Sequence, residues 1–219
     1  MVILDLFKLY AERSSFFAEL FLEHIVLTGM AISVITVIGI SVGILITRND
    51  TLANMVISIV NFIYTIPSVA LFGILVSISG VGNSSALIAL IIYGLLPMIR
   101  NTYVGIKEVD ELVVESAVAM GSTRKQLLFK IQLPMALPVI MAGFRTMVIM
   151  TIALGGIASF IGAGGLGVAI WRGITTNNTL LTLGGSLLVA FLAITTDLVL
   201  EIFEKNIRNR ILGDVGRIK

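Results

Sequence analysis

The chain has 219 residues, of which 57% are hydrophobic and only 13% are charged, and its mean hydropathy is +1.05. A soluble domain is typically about 45–50% apolar and about 25% charged, so this composition argues against a soluble enzyme and against a disordered chain. The absence of cysteine and the single histidine exclude disulfides, thiol chemistry and a metal site built on those ligands.

Residues 1–24 predict an amphipathic helix at the outer membrane interface. Apolar side chains recur in this segment at helical spacing, and most of its charged residues lie off that face. Its four acidic residues, and the lack of a short apolar core with a small-residue cleavage site, argue against a signal peptide. A mobile charged tail is the alternative for this segment.

Five apolar runs follow, each long enough to cross about 30 Å of hydrocarbon as a helix. Their approximate bounds are residues 25–46, 52–79, 86–106, 134–160 and 180–203. The second run has Pro67 in its middle, where we expect a kink or break because proline removes a backbone hydrogen bond. The sequence therefore predicts an all-α, polytopic helix bundle with five transmembrane helices, and residues 1–219 form a single transmembrane domain.

The basic residues predict the orientation of this bundle. Five spans place the two termini on opposite sides, and the loops richer in Lys and Arg face the cytoplasm. Eleven of the fifteen basic residues fall in one set of loops and three in the other, while Arg145 lies within a span. The N-terminus is therefore expected outside, and residues 205–219 are expected to form a basic cytoplasmic tail.

Residues 107–133, between the third and fourth runs, form the one long loop and carry over a quarter of the chain's charges. Gly121 followed by Ser122 and Thr123 is typical of a helix stop and a new N-cap. We expect two short helices that meet at this glycine. Acidic residues precede the turn and basic residues follow it, and such a two-signed surface favours docking on a partner.

A spaced motif lies in the same loop. It reads Glu-Ser-Ala, three residues, Gly, nine residues and Ile-Gln-Leu-Pro, and its members are Glu115, Ser116, Ala117, Gly121, Ile131, Leu133 and Pro134. The motif resembles the EAA signature of bacterial ABC-importer permeases. Every spacing matches, and Ser116 is the one departure, since the family usually has alanine there. An ordinary helical hairpin is the alternative interpretation.

This resemblance implies a type I ABC-importer permease fold in the bacterial inner (cytoplasmic) membrane. It further implies that residues 107–133 form the coupling helices, which sit in a cleft of an ATP-binding subunit. The motif residues, together with Arg124, would then couple ATP-driven closure to movement of the spans. Gly121 would provide the tight turn, and Glu115 would provide a charged contact or a brace between helices.

A wider resemblance narrows the class of permease. The segments that carry it are 65–68, 96–102, 105–110, 133–139 and 161–167. Together they are similar to the osmoprotectant-uptake permeases, which import glycine betaine, choline, carnitine and related quaternary amines. A methionine-type permease is the alternative within the family. A stand-alone secondary transporter is the alternative from another class. That class predicts internal inverted repeats and several membrane-embedded acids. The sequence shows no such repeat, and Asp197 is the one acid that lies clear of the ends of the predicted spans.

The resemblance also implies the partners of the chain. They are two ATP-binding subunits, a second permease copy or a paralogue, an extracellular or periplasmic substrate-binding protein, and membrane lipid, with no nucleic acid. No Walker A pattern occurs in the sequence, so we expect no cofactor in this chain and assign ATP and Mg to the partner ATPase. The chain itself is expected to be a transport subunit, not an enzyme.

A glycine-rich stretch follows the fourth run and contains Gly162, Gly164, Gly165 and Gly167. It formally satisfies the G-x-G-x-x-G pattern, but a dinucleotide site would need a βαβ unit and an acid about 20 residues on, and neither is predicted. We place the stretch at the outer end of the fourth span. Close helix packing and a flexible outer gate are equally compatible with it.

Polar residues inside spans are candidates for function because their burial is costly. Asn61, Tyr64 and Pro67 are candidates for a pathway constriction, since a trimethylammonium group favours an aromatic face such as that of Tyr64. Ordinary packing is the alternative. Arg145 either faces the pathway or a partner subunit, or it forms a structural pair.

Two further ionisable residues have structural interpretations. Asp197 is expected to pair with Arg100 or Arg145 across helices. His24 is expected to be an interfacial polar residue at the outer membrane edge. No catalytic or metal constellation can be built from either residue.

Overall fold

The computed structural model describes the backbone of residues 2–215 and the side chains of residues 2–209. Every regular element in that part of the chain is helical. The α-helices are α1 (Val2–Glu12), α2 (Ser14–Ile46), α3 (Asp50–Tyr64), α4 (Ser68–Ser79), α5 (Asn83–Lys107), α6 (Glu111–Ala119), α7 (Arg124–Gln126), α8 (Leu133–Ile157), α9 (Gly167–Thr175) and α10 (Thr179–Val215). A π-helical segment, Leu127–Gln132, joins α7 to α8, and a 3₁₀ turn, Ala158–Ile161, follows α8.

Within the described residues, four helical stretches are long and apolar enough to cross a membrane: α2, α5, the run from α7 through α8, and α10. Helices α3 and α4 pass the same test together but are bent by 95°, and they add a fifth span if the pair crosses as one. The bend confirms the break expected at Pro67. This proline is the N-cap of α4, so its missing N–H interrupts the helix between Tyr64 and Ser68.

Helix α5 lies at the centre of the bundle, packed between α2 and α8. Glycines allow these helices to approach closely. A Cβ added at Gly39 of α2 would lie 2.5 Å from Met98 Cγ, and one at Gly105 of α5 would lie 3.1 Å from Val139 Cβ. Small residues at helix crossings are typical of membrane bundles, where van der Waals packing drives association.

The N-terminal region differs from the prediction of one helix over residues 1–24. Helix α1 ends at Glu12, and α2 begins at Ser14 and continues without a break into the first span. Packing explains the break, because α1 lies against α10 and the Tyr10 hydroxyl donates to the carbonyl of Gly184 at 2.8 Å. The boundary at residue 24 is therefore wrong, and the interfacial position of α1 stays a prediction.

His24 also differs from its prediction as an interfacial residue. Its side chain is fully buried, and Nε2 lies 3.1 Å from the carbonyl oxygen of Ile152 in α8. Gly155 and Gly165 leave room for the ring, since a Cβ on either glycine would approach it to about 3 Å. His24 is thus a core residue that joins α2 to α8.

The first part of the predicted basic tail, residues 205–215, belongs to a helix and is not a separate segment. Helix α10 continues through it to Val215, so these residues extend the fifth predicted span. Arg217 and Lys219 lie outside the described residues. The expected orientation, with the N-terminus outside, stays a prediction.

Candidate functional site

Residues 107–133, called here the charged hairpin, begin with a capped helix and turn at a glycine. The Asp110 side chain accepts the N–H of Leu112 at 2.9 Å, which caps the start of α6. Gly121 ends the turn with φ +85°, a conformation that favours glycine. The Ser122 N–H donates to the Ala117 carbonyl at 3.0 Å, as in a Schellman motif. The helix stop predicted at Gly121 is confirmed.

The second helix of the charged hairpin starts with a capping box. The Thr123 N–H donates to Oε1 of Gln126 at 2.9 Å, and the Gln126 N–H donates to Oγ1 of Thr123 at 3.3 Å. From there the chain continues through the π-helical segment into α8 without a turn. We expected a separate short helix, but the second arm is continuous with the fourth span. The glycine turn is therefore joined to α8 by continuous helical backbone.

The members of the spaced motif fall into exposed and inward-facing groups. Glu115 and Ser116 are exposed, and the Ser116 hydroxyl donates to the Leu112 carbonyl at 2.6 Å. Gly121 and Arg124 are also exposed. The inward group comprises the buried Ala117 and the half-buried Ile131, Leu133 and Pro134. One face of the motif thus holds the hairpin together, and the other is open to a partner.

Sequence reasoning missed the apolar part of that open face. Leu112 is 70% exposed and Met120, next to Gly121, is 87% exposed, with Val118 between them on the same hairpin. The signal was present in the sequence, because these apolar residues interrupt a charged loop. Exposed apolar side chains around a two-signed charged surface are typical of a protein–protein contact.

A cavity of about 500 Å³ lies where the bend between α3 and α4 faces α5 and α8. Tyr64 lines it, and its hydroxyl donates to Sδ of Met150 at 3.2 Å. Its ring meets the edge of Tyr93 at a centroid distance of 5.6 Å. The Tyr93 hydroxyl donates to the carbonyl of Ile66, which lies within the break, and so satisfies a group that the broken helix leaves free.

The other residues predicted for the pathway constriction lie outside this cavity. Asn61 and Pro67 are exposed but do not line the cavity, and Arg145 does not line it either. Polar residues that we did not predict as site residues line it instead, and they are Arg100, Asn101, Glu108 and Thr146. The first three lie on one face of α5 and at its C-cap. Their helical spacing is a signal that the sequence contains.

Arg145 forms an ionic cluster with α10. Its Nη2 lies 2.9 Å from Oδ2 of Asp197 and 3.2 Å from Oε2 of Glu201, and its Nη1 lies 3.3 Å from Oε2 of Glu204. Lys205 pairs with Glu201. The pairing of Asp197 with Arg145 is confirmed, and Arg100 is not the partner. Glu201 and Glu204 join the cluster because they follow Asp197 by four and seven residues on one helix face.

The glycine segment, residues 162–167, is fixed by side chains from α2 and α5. Glu23 Oε2 accepts the N–H of Gly165 at 2.9 Å, and Asn83 Oδ1 accepts the N–H of Gly164 at 2.9 Å. A Cβ at Gly164 would lie 2.6 Å from Glu23 Oε2. Gly165 has φ +94°. Of the two interpretations, this geometry favours close packing in the present conformation.

The chain belongs to the family of binding-protein-dependent transport system inner membrane components, which it matches over residues 21–212. It is therefore a multi-pass inner membrane permease subunit of an ABC importer. Members of this family work with an ATPase and a substrate-binding protein.

Several members of the family are similar to this chain in sequence. The chain is 39% identical over 204 residues to the carnitine transport permease protein OpuCD of Listeria monocytogenes, covering 93% of this chain and 92% of that protein. It is 38% identical over 197 residues to the glycine betaine/carnitine/choline transport system permease protein OpuCD of Bacillus subtilis, covering 90% of this chain and 86% of that protein.

A further relative is a longer protein. The chain is 41% identical over 170 residues to the ergothioneine transport permease/ergothioneine binding protein EgtU of Helicobacter pylori, covering 78% of this chain. The match covers 31% of the Helicobacter protein, so this chain spans about a third of its length.

The fold is similar to that of the MetNI methionine ABC transporter in inward-facing conformations. The TM-score is 0.75 at 24% identity, covering 84% of this chain and 93% of the compared chain. At this level of identity the similarity concerns the fold alone. It confirms the type I ABC-importer permease architecture expected from the sequence.

Proposed function

We propose that this permease moves a quaternary-ammonium compound inward across the membrane, powered by ATP hydrolysis in partner subunits. The main support for this proposal comes from the substrates that the names of the relatives state. Carnitine, choline, glycine betaine and ergothioneine all contain a trimethylammonium group, although they differ in the rest of the molecule. The trimethylammonium group is therefore the chemistry that we assign to the substrate of this chain.

The assembly that we propose contains two permease chains, two ATP-binding subunits and a substrate-binding protein. The cavity lined by Tyr64 supports the second permease, because it opens at the surface of this chain and one chain encloses only part of a pathway. A twofold pair of permeases, as identical copies or as paralogues, would close it. ATP and Mg would bind only in the ATP-binding subunits.

Coupling would run through the charged hairpin. The exposed face around Glu115, Gly121 and Met120 is available for a cleft of the ATPase, and the hairpin's second arm is continuous with α8. Helix α8 carries Thr146 and Met150, which line the cavity. Closure of the ATPase dimer would therefore move the hairpin, then α8, and finally the cavity wall, as alternating access requires.

Substrate would pass the cavity with weak affinity. Tyr64 is 42% exposed and lines the cavity, so it could offer an aromatic face to a trimethylammonium group. Selection would occur mainly in the binding protein, which delivers the substrate. In this proposal the glycine segment belongs to the opposite end of the pathway, where its contacts with Glu23 and Asn83 would have to open.

Uptake by the reconstituted complex tests the proposal. The chain, its ATPase and its binding protein are placed in proteoliposomes, and uptake of radiolabelled glycine betaine, carnitine, choline, ergothioneine and methionine is measured with and without ATP. We expect ATP-dependent uptake of at least one quaternary amine. Uptake of methionine alone would establish the methionine-type alternative, and uptake without the ATPase would establish a secondary transporter.

A further inference from the structure

A second, larger cavity lies between the charged hairpin and the ends of two spans. It has a volume of about 960 Å³ and is bounded by the end of α2, the end of α5, and the π-helical segment with α7. It is separate from the cavity lined by Tyr64, with which it shares no lining residue. Of its lining residues, only Arg124 belongs to the face of the charged hairpin that is open to a partner.

Basic side chains converge on this hairpin cavity from three parts of the chain. Arg48 lies in the turn after α2, Lys107 is the last residue of α5, and Arg124 and Lys125 belong to α7. Glu111 is the one acidic residue in the lining. The lining therefore has a net positive charge, which favours an anion.

Most of these positive charges are available to a ligand. Lys107 Nζ lies 2.7 Å from Oδ1 of Asp50, so this residue is already paired. Among the side chains described to residue 209, Arg48, Arg124 and Lys125 form no ion pair. Three cations around one opening can donate several charge-assisted hydrogen bonds to a phosphate group.

Most of the remaining lining is apolar, although Thr47 and Gln132 also belong to it. Ile106, Leu128 and Phe129 line the cavity beside the basic residues. Lys107 ends α5, and Arg48 lies two residues beyond the end of α2. Both helices are long and apolar enough to cross a membrane, so we expect their ends near the level of the lipid headgroups. A ligand with both an anionic head and an apolar chain satisfies both halves of the lining.

We propose that the hairpin cavity binds a phosphate-bearing anion, and that the apolar half of its lining selects an anionic phospholipid over free phosphate. The headgroup would bridge Arg48, just after α2, to Lys125 on the second arm of the hairpin. Binding would thus stabilise the hairpin against the membrane surface, and it does not depend on which substrate the transporter carries.

Lipid binding by the purified full-length permease with its ATPase tests this site. Protein in mixed micelles is titrated with phosphatidylglycerol, phosphatidylcholine or inorganic phosphate, and bound ligand is counted by native mass spectrometry. We expect phosphatidylglycerol to bind in preference to phosphatidylcholine. The double variant Arg48→Gln/Lys125→Gln should bind it about thirtyfold more weakly, since each basic residue near a membrane surface contributes roughly a fivefold factor.

Lys130→Gln/Arg208→Gln is the matched control, because it removes the same charge from two residues outside the cavity, one in the charged hairpin and one in α10. This control should retain the wild-type affinity, and circular dichroism should show that both double variants keep their helical content. Phosphate binding equal to that of phosphatidylglycerol would support the anion site and overturn the selection of lipid. Equal affinities of the two double variants, or no preference for either anion over phosphatidylcholine, would overturn the proposal.

Discussion

The charged hairpin and the glycine segment both depend on glycine, but for different physical reasons. A Cβ at Gly121 would meet no atom within 4 Å, so only its φ of +85° requires glycine there. In the glycine segment, a Cβ at Gly167 would overlap the carbonyl oxygen of Gly156 and lie 2.7 Å from Ser159 Oγ. The hairpin therefore needs glycine for a backbone conformation at an open surface, whereas the glycine segment also needs it for space.

This difference indicates which region tolerates movement. A turn with free space around it can be displaced by a partner without breaking internal contacts. A segment whose backbone lies against Glu23, His24 and Asn83 moves only if those contacts break. The following substitutions test this contrast, from the largest expected effect to the smallest.

Gly167→Ala should have the largest effect on stability. The new methyl group has no room beside the backbone of Gly156 at the end of α8, so we expect a loss of about 3 kcal/mol in the free energy of unfolding. Thermal unfolding in detergent measures the loss. Gly73→Ala is the control, because a Cβ at Gly73 meets nothing within 4 Å and its helix should be unchanged or slightly stabilised. Equal melting temperatures for the two variants would contradict the packing argument.

Gly121→Leu should abolish transport while leaving the protein folded and inserted. A branched residue is strained at positive φ by about 1–2 kcal/mol, which opens the turn without disturbing the bundle. Gly121→Asn should retain substantial uptake, because asparagine tolerates a left-handed backbone. Uptake and substrate-stimulated ATPase activity are measured in proteoliposomes. Normal uptake with normal ATPase stimulation in Gly121→Leu would contradict the coupling role of the turn.

Arg145→Gln should lower the melting temperature because it leaves three neighbouring carboxylates without their shared cation. The double variant Arg145→Gln/Asp197→Asn should recover part of that loss by removing one of the repelling charges. A double-mutant cycle with both single variants measures the coupling. Additive effects of the two substitutions would show that Arg145 and Asp197 do not interact.

Glu23→Ala should destabilise the glycine segment by about 1 kcal/mol, since it removes the acceptor of the Gly165 N–H. Glu23→Gln keeps an acceptor oxygen and should be close to the wild type. Hydrogen exchange of the Gly165 amide reports the effect at the contact itself. Unchanged protection of that amide in Glu23→Ala would mean that the hydrogen bond is not formed in the membrane.

Ser116→Ala should have the smallest effect. It restores the alanine that the EAA signature usually has, but Ser116 is exposed and its hydroxyl contacts only the carbonyl of its own helix. We expect a change within about 0.5 kcal/mol in stability. Uptake equal to that of the wild type would confirm that the departure is neutral, and a large change would place Ser116 in the contact with the ATPase.

Local chemistry made much of the fold predictable from the sequence. The break at Pro67 and the turn at Gly121 follow from a missing N–H and from a backbone conformation, and each acts within a few residues. The spaced motif from Glu115 to Pro134 indicates the permease family by its sequence spacing alone, without any knowledge of tertiary contacts. Long-range packing was not predictable in this way, because the partner of His24 is a backbone carbonyl 128 residues away.

The sequence by itself determined that the chain is an all-α membrane bundle, where its apolar runs lie, and that its scarce charge is concentrated in one hairpin. Composition and periodicity suffice for this, because the bilayer requires long apolar helices with satisfied backbones. Only the tertiary structure decided that the hairpin continues into α8, that Arg145 faces three acids of α10, and that basic residues from three elements surround one cavity. Such juxtapositions depend on how helices far apart in the chain pack together, and no local pattern encodes that packing.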